Sequence, residues 1–474
     1  MIRDYMIRGS LPLIALIISM QGLQGEWYPP AKISRQEIIK VSQQVLAMPD
    51  LPISAQEDLY RIRAVEMDWD MGAMVYQPQD ISNIPTDPSG RKIGLFLIHG
   101  GSGDHRSKDK EARFLSAKFG FKVVSMTYPG RLYFMSADRN WPGDTIKPDG
   151  SVRTPIWHKD KPITRDQYDL VKEISLRPKY GTLLLAKAKP GTEFYYRMAG
   201  WPVAFEEAGK NLMARHFPTE EYSIYIHGHS TGGPFCFMFT QRVPNIVGVL
   251  GMETTPFGYI GRVQARPSGD PTGKTYGDMP FNSLVIRTWR DKARYMGPEA
   301  LMGEGPEALM RMPMLMEEVH ESWERTKHLP NFKGEGPVSF GSIQSLTEAA
   351  QATAKRLKLS SEETQSLVNQ YIGYSRELRG LNVKPVPPVI FGIVLASADH
   401  TPHNYRKITL PMLASMAPRP KVRLVEFEAG IHGYSRAEPD LPMGPFPAAA
   451  KLWQEAITQG YYLNYAKEWG GISP

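Results

Sequence analysis

The chain has 474 residues, of which 42% are hydrophobic and 22% charged, as in a globular protein that can bury a large core. Its net charge is +7, but lysines and arginines are spread along the sequence. This spread argues against a nucleic-acid partner, because such a surface needs clustered cations. The single cysteine, Cys236, excludes an intrachain disulfide, and we expect it to be a buried core residue.

Residues 1–25 have the layout of a secretory signal peptide. Arg3 and Arg8 precede an apolar run from Leu11 to Met20, which small and polar residues follow. The run is too short to span a bilayer, and no other stretch is long and apolar enough, so we expect no stable membrane insertion. The pattern predicts a secreted or periplasmic protein, with an ordinary N-terminal segment of a cytoplasmic protein as the alternative.

Helices and buried strands alternate along most of the remaining chain. A helix over 34–48, capped by Ser34, precedes an antiparallel hairpin over 59–78 that breaks near Asp68–Gly72. Short apolar runs predict strands buried on both faces of a parallel sheet, at 92–101, 121–130, 222–227, 245–253, 387–400 and 420–433. Further helices are predicted at 107–119, 203–217 and 446–458. The alternation predicts an α/β fold with a mostly parallel central sheet flanked by helices.

Two long segments interrupt this pattern. An insertion at about 131–200 is rich in Trp, Tyr, Pro and Asp, and 260–385 contains two strongly helical stretches. We therefore predict one core domain, formed by 26–259 and 386–474, with 260–385 as a large helical cap or lid.

The strand predicted at 222–227 leads into Gly228-x-Ser230-x-Gly232, and Gly233-Pro234 then begins a helix. A serine at such a strand-to-helix turn is held in a strained conformation that exposes its hydroxyl, and the flanking positions must be small. The alternative is a tight turn that happens to contain a serine. The strand before it and the helix after it favour a nucleophile elbow.

A second glycine-rich segment, His99-Gly100-Gly101, ends an earlier predicted strand. Its backbone N–H groups, with that of Thr231 after the serine, could form an oxyanion hole. The alternative is a phosphate-binding loop, but the G-K-S/T sequence that such a loop requires is missing.

His432 follows the last predicted strand and is the expected general base. Four other histidines compete for this role: His227, His229, His400 and His403. The first two adjoin the serine too closely along the chain to face its hydroxyl easily. A metal site at Asp399, His400 and His403 is a further alternative, but no additional clustered ligand is evident.

Two carboxylates could orient His432. Glu253 ends the strand after the elbow, and Asp399 follows the next core strand. Both fit the chain order serine, acid, histidine, and each lies at the exit of an apolar strand, where a buried carboxylate needs a partner.

The order of these motifs resembles that of the α/β-hydrolase superfamily, over about 59–259 and 386–460. The stretch "GHSTGGPFCF…GVLGMETTPFG" is similar to a branch of bacterial esterases whose acid is a glutamate after the sixth strand. That branch also keeps an Asp-His pair after the seventh strand, as in Asp399-His400, where most of the superfamily has its acid. The resemblance favours Glu253 as the triad acid, with Asp399 supporting the site or replacing it.

The resemblance implies a serine hydrolase with the α/β-hydrolase fold that cleaves a carboxylic ester through an acyl-enzyme. Amide or thioester cleavage, acyl transfer, and a non-catalytic binding protein on this fold are the alternatives. A pocket roofed by the aromatic-rich and methionine-rich insertions would suit a bulky, hydrophobic or aromatic small-molecule ester. No cofactor is implied, since no dinucleotide fingerprint or convincing metal cluster is present. The sequence does not indicate the oligomeric state.

Overall fold

The structure, a computed structural model, describes most of the predicted core domain. The described residues are 31–64, 67–100, 104–130, 132, 158–159, 161, 164–173, 183–188, 192–253, 347, 351, 354, 358–372, 386–394 and 421–460. The predicted signal peptide and most of the predicted cap lie outside these ranges, as do Gly101, Asp399, His400 and His403.

Nine of the described strands form one sheet, in the order β1-β11-β10-β9-β8-β4-β5-β3-β2. These strands are β1 (Ala31–Ile33), β2 (Ile53–Ala64), β3 (Met67–Pro78), β4 (Lys92–Ile98), β5 (Lys122–Met126), β8 (Tyr222–His229), β9 (Ile246–Met252), β10 (Val389–Val394) and β11 (Val422–Phe427). In this order, every pair of neighbouring strands from β1 through to β5 is parallel. The last two pairs, β5 with β3 and β3 with β2, are antiparallel. The short edge strand β1 has no counterpart among the predicted elements.

Six described helices accompany the strands. They are α1 (Arg35–Ala47), α2 (Asp109–Phe119), α3 (Glu193–His216), α4 (Gly233–Arg242), α5 (Ser361–Ile372) and α6 (Phe446–Thr458). The Ser34 hydroxyl accepts the N–H of Glu37, which confirms the predicted cap of α1. No helix in the described part of the chain is both long and apolar enough to cross a bilayer.

The two faces of the sheet are covered by different helices, as side-chain alternation along a strand requires. Leu95 and Leu97 of β4 belong to a buried cluster that includes side chains of α1, α2 and α6. Phe96, between them, lies 6.2 Å from Phe239 of α4 between ring centroids. A mostly parallel sheet covered on both faces, with α4 following its central strand through a sharp turn, confirms the predicted α/β-hydrolase fold.

The predicted break of the hairpin near Asp68–Gly72 is wrong. These residues lie inside β3, and the chain reverses between Ala64 and Met67. Asp70 pairs with Arg61 across the two strands, with Nε and Oδ1 2.7 Å apart. The acidic residues therefore mark cross-strand ion pairs and do not mark a turn.

The helix predicted from residue 203 begins earlier, at Glu193, and includes Gly200 and Pro202. Both residues have poor helix propensity, which placed the predicted start too late. Packing of Phe205, 5.3 Å from Phe239 of α4 between ring centroids, helps to hold this helix against α4. The insertion before it also contains a separate two-stranded sheet of β6 (Tyr168–Glu173) and β7 (Leu183–Ala188).

Two glycines with positive φ, Gly120 at the end of α2 and Gly90 in the turn before β4, form a matched pair that tests packing around the backbone. Gly120 has φ +72°, and a Cβ there would lie 2.5 Å from the carbonyl oxygen of Asn83. Gly90 has φ +82°, with no atom within 4 Å of its Cβ position. We expect Gly90→Ala to lower the free energy of unfolding by about 1–2 kcal/mol. Gly120→Ala should lower it by a further ~1–3 kcal/mol, because the new methyl group overlaps backbone. Urea unfolding measures both values, and equal losses would contradict this account.

Candidate active site

Ser230 lies at a sharp turn between the central strand β8 and helix α4. Its φ is +52°, in the left-handed region that residues other than glycine rarely adopt. A short 3₁₀ turn, Ser230–Gly232, connects the strand directly to the helix. This is the geometry expected of a nucleophile elbow, in which the serine is exposed at the carboxyl end of a central strand.

The two glycines of the elbow are required by contacts on both sides. A Cβ at Gly228 would lie 2.5 Å from Cys236 Sγ and 2.9 Å from the backbone of Gly232. A Cβ at Gly232 would lie 2.8 Å from the carbonyl oxygen of Ile98 and 2.9 Å from that of His99. The elbow therefore packs directly against the end of β4. Cys236 is fully buried beneath it, and this burial raises the pKa of the thiol.

Glu253 follows β9 and is fully buried, with φ +53°. Its Oε1 accepts the N–H of Val394 at 2.6 Å, and its Oε2 lies 3.2 Å from His432 Nδ1. Its own N–H donates to the Gly392 carbonyl at 2.9 Å. The carboxylate is thus held at the ends of β9 and β10 and faces the imidazole.

The contact with Glu253 has a consequence for the chemistry of His432. A carboxylate that accepts a bond from Nδ1 fixes the imidazole tautomer in which Nδ1 carries the proton. Nε2 is then the nitrogen that can take a proton from a nucleophile. Glu253 and the histidine, distant in sequence, therefore form a pair with the tautomer that general-base chemistry requires.

His432, the elbow and the end of β4 converge at the carboxyl ends of the parallel strands. The ring of His229, the residue before Ser230, lies 4.9 Å from the ring of His432 between centroids. A Cβ at Gly100 would lie 3.3 Å from Ser230 Cβ and 3.2 Å from His229 Nδ1. Gly100 therefore lets the segment after β4 approach the serine closely. The structure thus places the pair of Glu253 and His432 beside His229 of the elbow, and Gly100 beside Ser230.

The backbone near the predicted oxyanion hole is held by two side chains. The Tyr128 hydroxyl donates to the His99 carbonyl, and His99 Nδ1 donates to the Gly100 carbonyl at 2.6 Å. Thr231 follows the serine directly, inside the turn Ser230–Gly232. Gly101 lies outside the described residues, so its part in an oxyanion hole stays a prediction. The sequence did not indicate Tyr128, whose only signal was its position just past a buried strand.

The alternative acid and the alternative metal site are not described, since Asp399, His400 and His403 lie in the undescribed 395–420. The described residues contain no group of three or more His, Cys, Asp or Glu that could hold a metal ion. His227 is buried behind the elbow, where Nδ1 donates to the Leu250 carbonyl at 2.7 Å. It therefore faces away from the serine, as expected for a residue so close to Ser230 along the chain.

No protein-family model matches the sequence, and no curated protein matches it either. Among solved structures the chain is similar to a lipase in its open form, with 13% identity, a TM-score of 0.36, and coverage of 85% of this chain and 99% of the lipase. It is also similar to an arylesterase, with 11% identity, a TM-score of 0.32, and coverage of 94% and 98%. A fungal esterase from Rhizomucor miehei has 11% identity, a TM-score of 0.36, and coverage of 95% and 97%. Similarity this weak says nothing about what the chain acts on.

Packing of the elbow against β4 predicts that Gly232→Ala abolishes the active geometry. The added methyl group would push the elbow away from the Ile98 and His99 carbonyls, so reaction of Ser230 with a fluorophosphonate probe should slow at least about a hundredfold. Gly94→Ala is the matched control, because its methyl group would overlap only the Phe217 ring, at 2.5 Å. Both variants overpack the core by a similar cost of about 1–3 kcal/mol, measured by urea unfolding. Equal labelling rates in the two variants would show that the elbow tolerates the methyl group.

Proposed function

We propose that the protein is a serine hydrolase that cleaves carboxylic esters through an acyl-enzyme intermediate. The observation that carries this proposal is the contact of fully buried Glu253 with His432 Nδ1, beside a serine held at φ +52°. A buried carboxylate is costly unless it has a partner, and here the partner is the imidazole expected to act as base. A binding protein on this fold would not need this arrangement.

In the first half of the reaction, Ser230 Oγ attacks the ester carbonyl carbon while His432 Nε2 takes the hydroxyl proton. The carbonyl π electrons move to its oxygen, and backbone N–H groups of Thr231 and the segment after β4 stabilise the resulting oxyanion. Glu253 stabilises the imidazolium that forms, without taking its proton. Collapse of the tetrahedral intermediate breaks the ester C–O bond, and His432 gives its proton to the departing alkoxide.

In the second half, a water molecule replaces the alcohol. His432 takes a proton from the water, whose oxygen attacks the acyl carbon of the Ser230 ester. Collapse releases the carboxylic acid and returns the proton to Ser230 Oγ. The donors that stabilise the first oxyanion stabilise the second, so one set of groups serves both steps.

We assign the acid to Glu253 because of its satisfied, fully buried position. One carboxylate oxygen accepts the Val394 N–H and the other faces His432, so the group is fixed in the orientation that an imidazole requires. Asp399, after β10, is proposed to support the site. A cap formed by 260–385 is proposed to roof the pocket and to favour bulky, hydrophobic or aromatic esters.

Covalent labelling and turnover test the role of Ser230. Ser230→Ala should remove fluorophosphonate labelling and lower kcat on p-nitrophenyl esters by about 10⁶. Ser223→Ala is the matched control, because this buried serine lies at the start of the same strand, β8. The control should label and turn over as the parent does. Activity of Ser230→Ala within tenfold of the parent would refute the assignment, and a panel of aromatic, aliphatic and thiol esters would define the substrate class.

The two candidate acids give opposite predictions. Glu253→Gln keeps the shape of the side chain but loses the charge that stabilises the imidazolium, so kcat should fall by about 10³–10⁴. Asp399→Asn should lower kcat less than tenfold. Both variants are assayed on the same ester, with urea unfolding to exclude loss of folded protein. The reverse ranking would move the acid to the end of β10.

A further inference from the structure

His432 lies in the segment 428–437, which has little regular structure of its own and which we call the base loop. Gly430 and Gly433 flank the histidine closely, with φ of +94° and +90°, so neither strand nor helix geometry continues through it. The position of the imidazole therefore depends on how the loop is attached to the rest of the site. The first buried side chain after His432 is Tyr434, which is 1% exposed.

Tyr434 reaches behind the elbow to the strand that carries the nucleophile. Its hydroxyl donates to His227 Nε2 at 2.9 Å. His227 is 1% exposed and lies on β8 just before Ser230, and its Nδ1 donates to the Leu250 carbonyl at 2.7 Å. The bond thus connects the base loop to β8 and, through the Leu250 backbone, to β9, which leads into Glu253.

A second attachment holds the other side of the same loop. Ser435 Oγ donates to Glu111 Oε1 at 2.8 Å, and Lys108 Nζ lies 3.2 Å from the same oxygen. Lys108 Nζ also lies 5.1 Å from the centre of the Tyr434 ring. This attachment ties the loop to the start of α2. The Tyr434 bond ties it to the strand of the nucleophile.

We propose that Tyr434 is a positioning residue, whose hydroxyl bond to His227 holds the base loop against the nucleophile strand so that His432 stays aligned with Ser230. The inference rests on the proposed function. It adds the residue through which the base is held in register with the nucleophile.

The protonation states of the pair suit this role. Burial, and then the charge of Lys108, lowers the pKa of His227 to about 3, so the ring is neutral at any working pH. Because Nδ1 donates to a carbonyl, Nε2 must be the acceptor. Burial, and then Glu111, raises the pKa of Tyr434, so its hydroxyl keeps its proton. Donor and acceptor therefore keep their roles throughout the range in which His432 would work.

Tyr434→Phe tests the proposal, because it removes only the hydroxyl. We expect kcat on an ester to fall tenfold to about a hundredfold with KM unchanged, since a misplacement of about 1 Å has this effect. The rate of fluorophosphonate labelling should fall by a similar factor. Tyr76→Phe is the matched control, because Tyr76 is a fully buried tyrosine whose hydroxyl donates to Asp109 Oδ1 at 2.8 Å. Its variant should lose comparable stability and keep kcat.

A double-mutant cycle separates positioning from general stability. His227→Asn can still donate to the Leu250 carbonyl but offers no acceptor at the Nε2 position. If Tyr434 acts through His227, then Tyr434→Phe should change kcat less than threefold in the His227→Asn background. A loss of kcat below tenfold for Tyr434→Phe in the parent, or a full further loss in the His227→Asn background, would overturn the proposal. Absence of Ser230 labelling in the parent would instead refute the proposed function and this inference with it.

Discussion

The site depends on one constraint, which is that the carboxylate of Glu253 is removed from water and must be satisfied by the protein. Burying a charge without partners costs several kcal/mol or more. Here the N–H of Val394 and the imidazole of His432 provide those partners. The carboxylate consequently fixes the end of β9 relative to the end of β10 and to the base loop. The position of the histidine follows from this packing and from the attachments of Tyr434 and Ser435.

The parallel sheet supplies the frame for this convergence. Strands β4, β8, β9 and β10 are neighbours, and their carboxyl ends lie at one edge. Each of them leads into or supports a part of the site, as is general for sheets of this kind. The glycines of the elbow and of the segment after β4 allow two of these strand ends to meet almost without side chains between them. Because of the same close approach, we expect a single added methyl group to disturb the site.

The parts of the structure that the sequence predicted are those with a local signature. Apolar runs between glycines predicted the parallel strands, and a strand followed at once by a helix predicted the sharp turn at Ser230. The bond between Tyr434 and His227 joins residues far apart in the chain, and no local pattern reveals such a contact. The hairpin turn was misplaced because Asp68 and Asp70 resemble turn residues, whereas they face Arg63 and Arg61 across the strands. The sequence left Glu253 and Asp399 as alternatives because both follow buried strands, and the described part of the chain adds the contact of Glu253 with His432.

The left-handed backbone of Ser230 is unfavourable for folding, whereas the proposed function requires a serine in this conformation. A side chain in that conformation costs on the order of 1–3 kcal/mol, and glycine would avoid the cost. A population of variants selected only for folding would therefore drift towards glycine at this position. Selection for turnover would hold the serine there and would require the surrounding core to supply the difference. Under the proposed function, the stability of the sheet and its helices would therefore be a requirement for turnover as well as for folding.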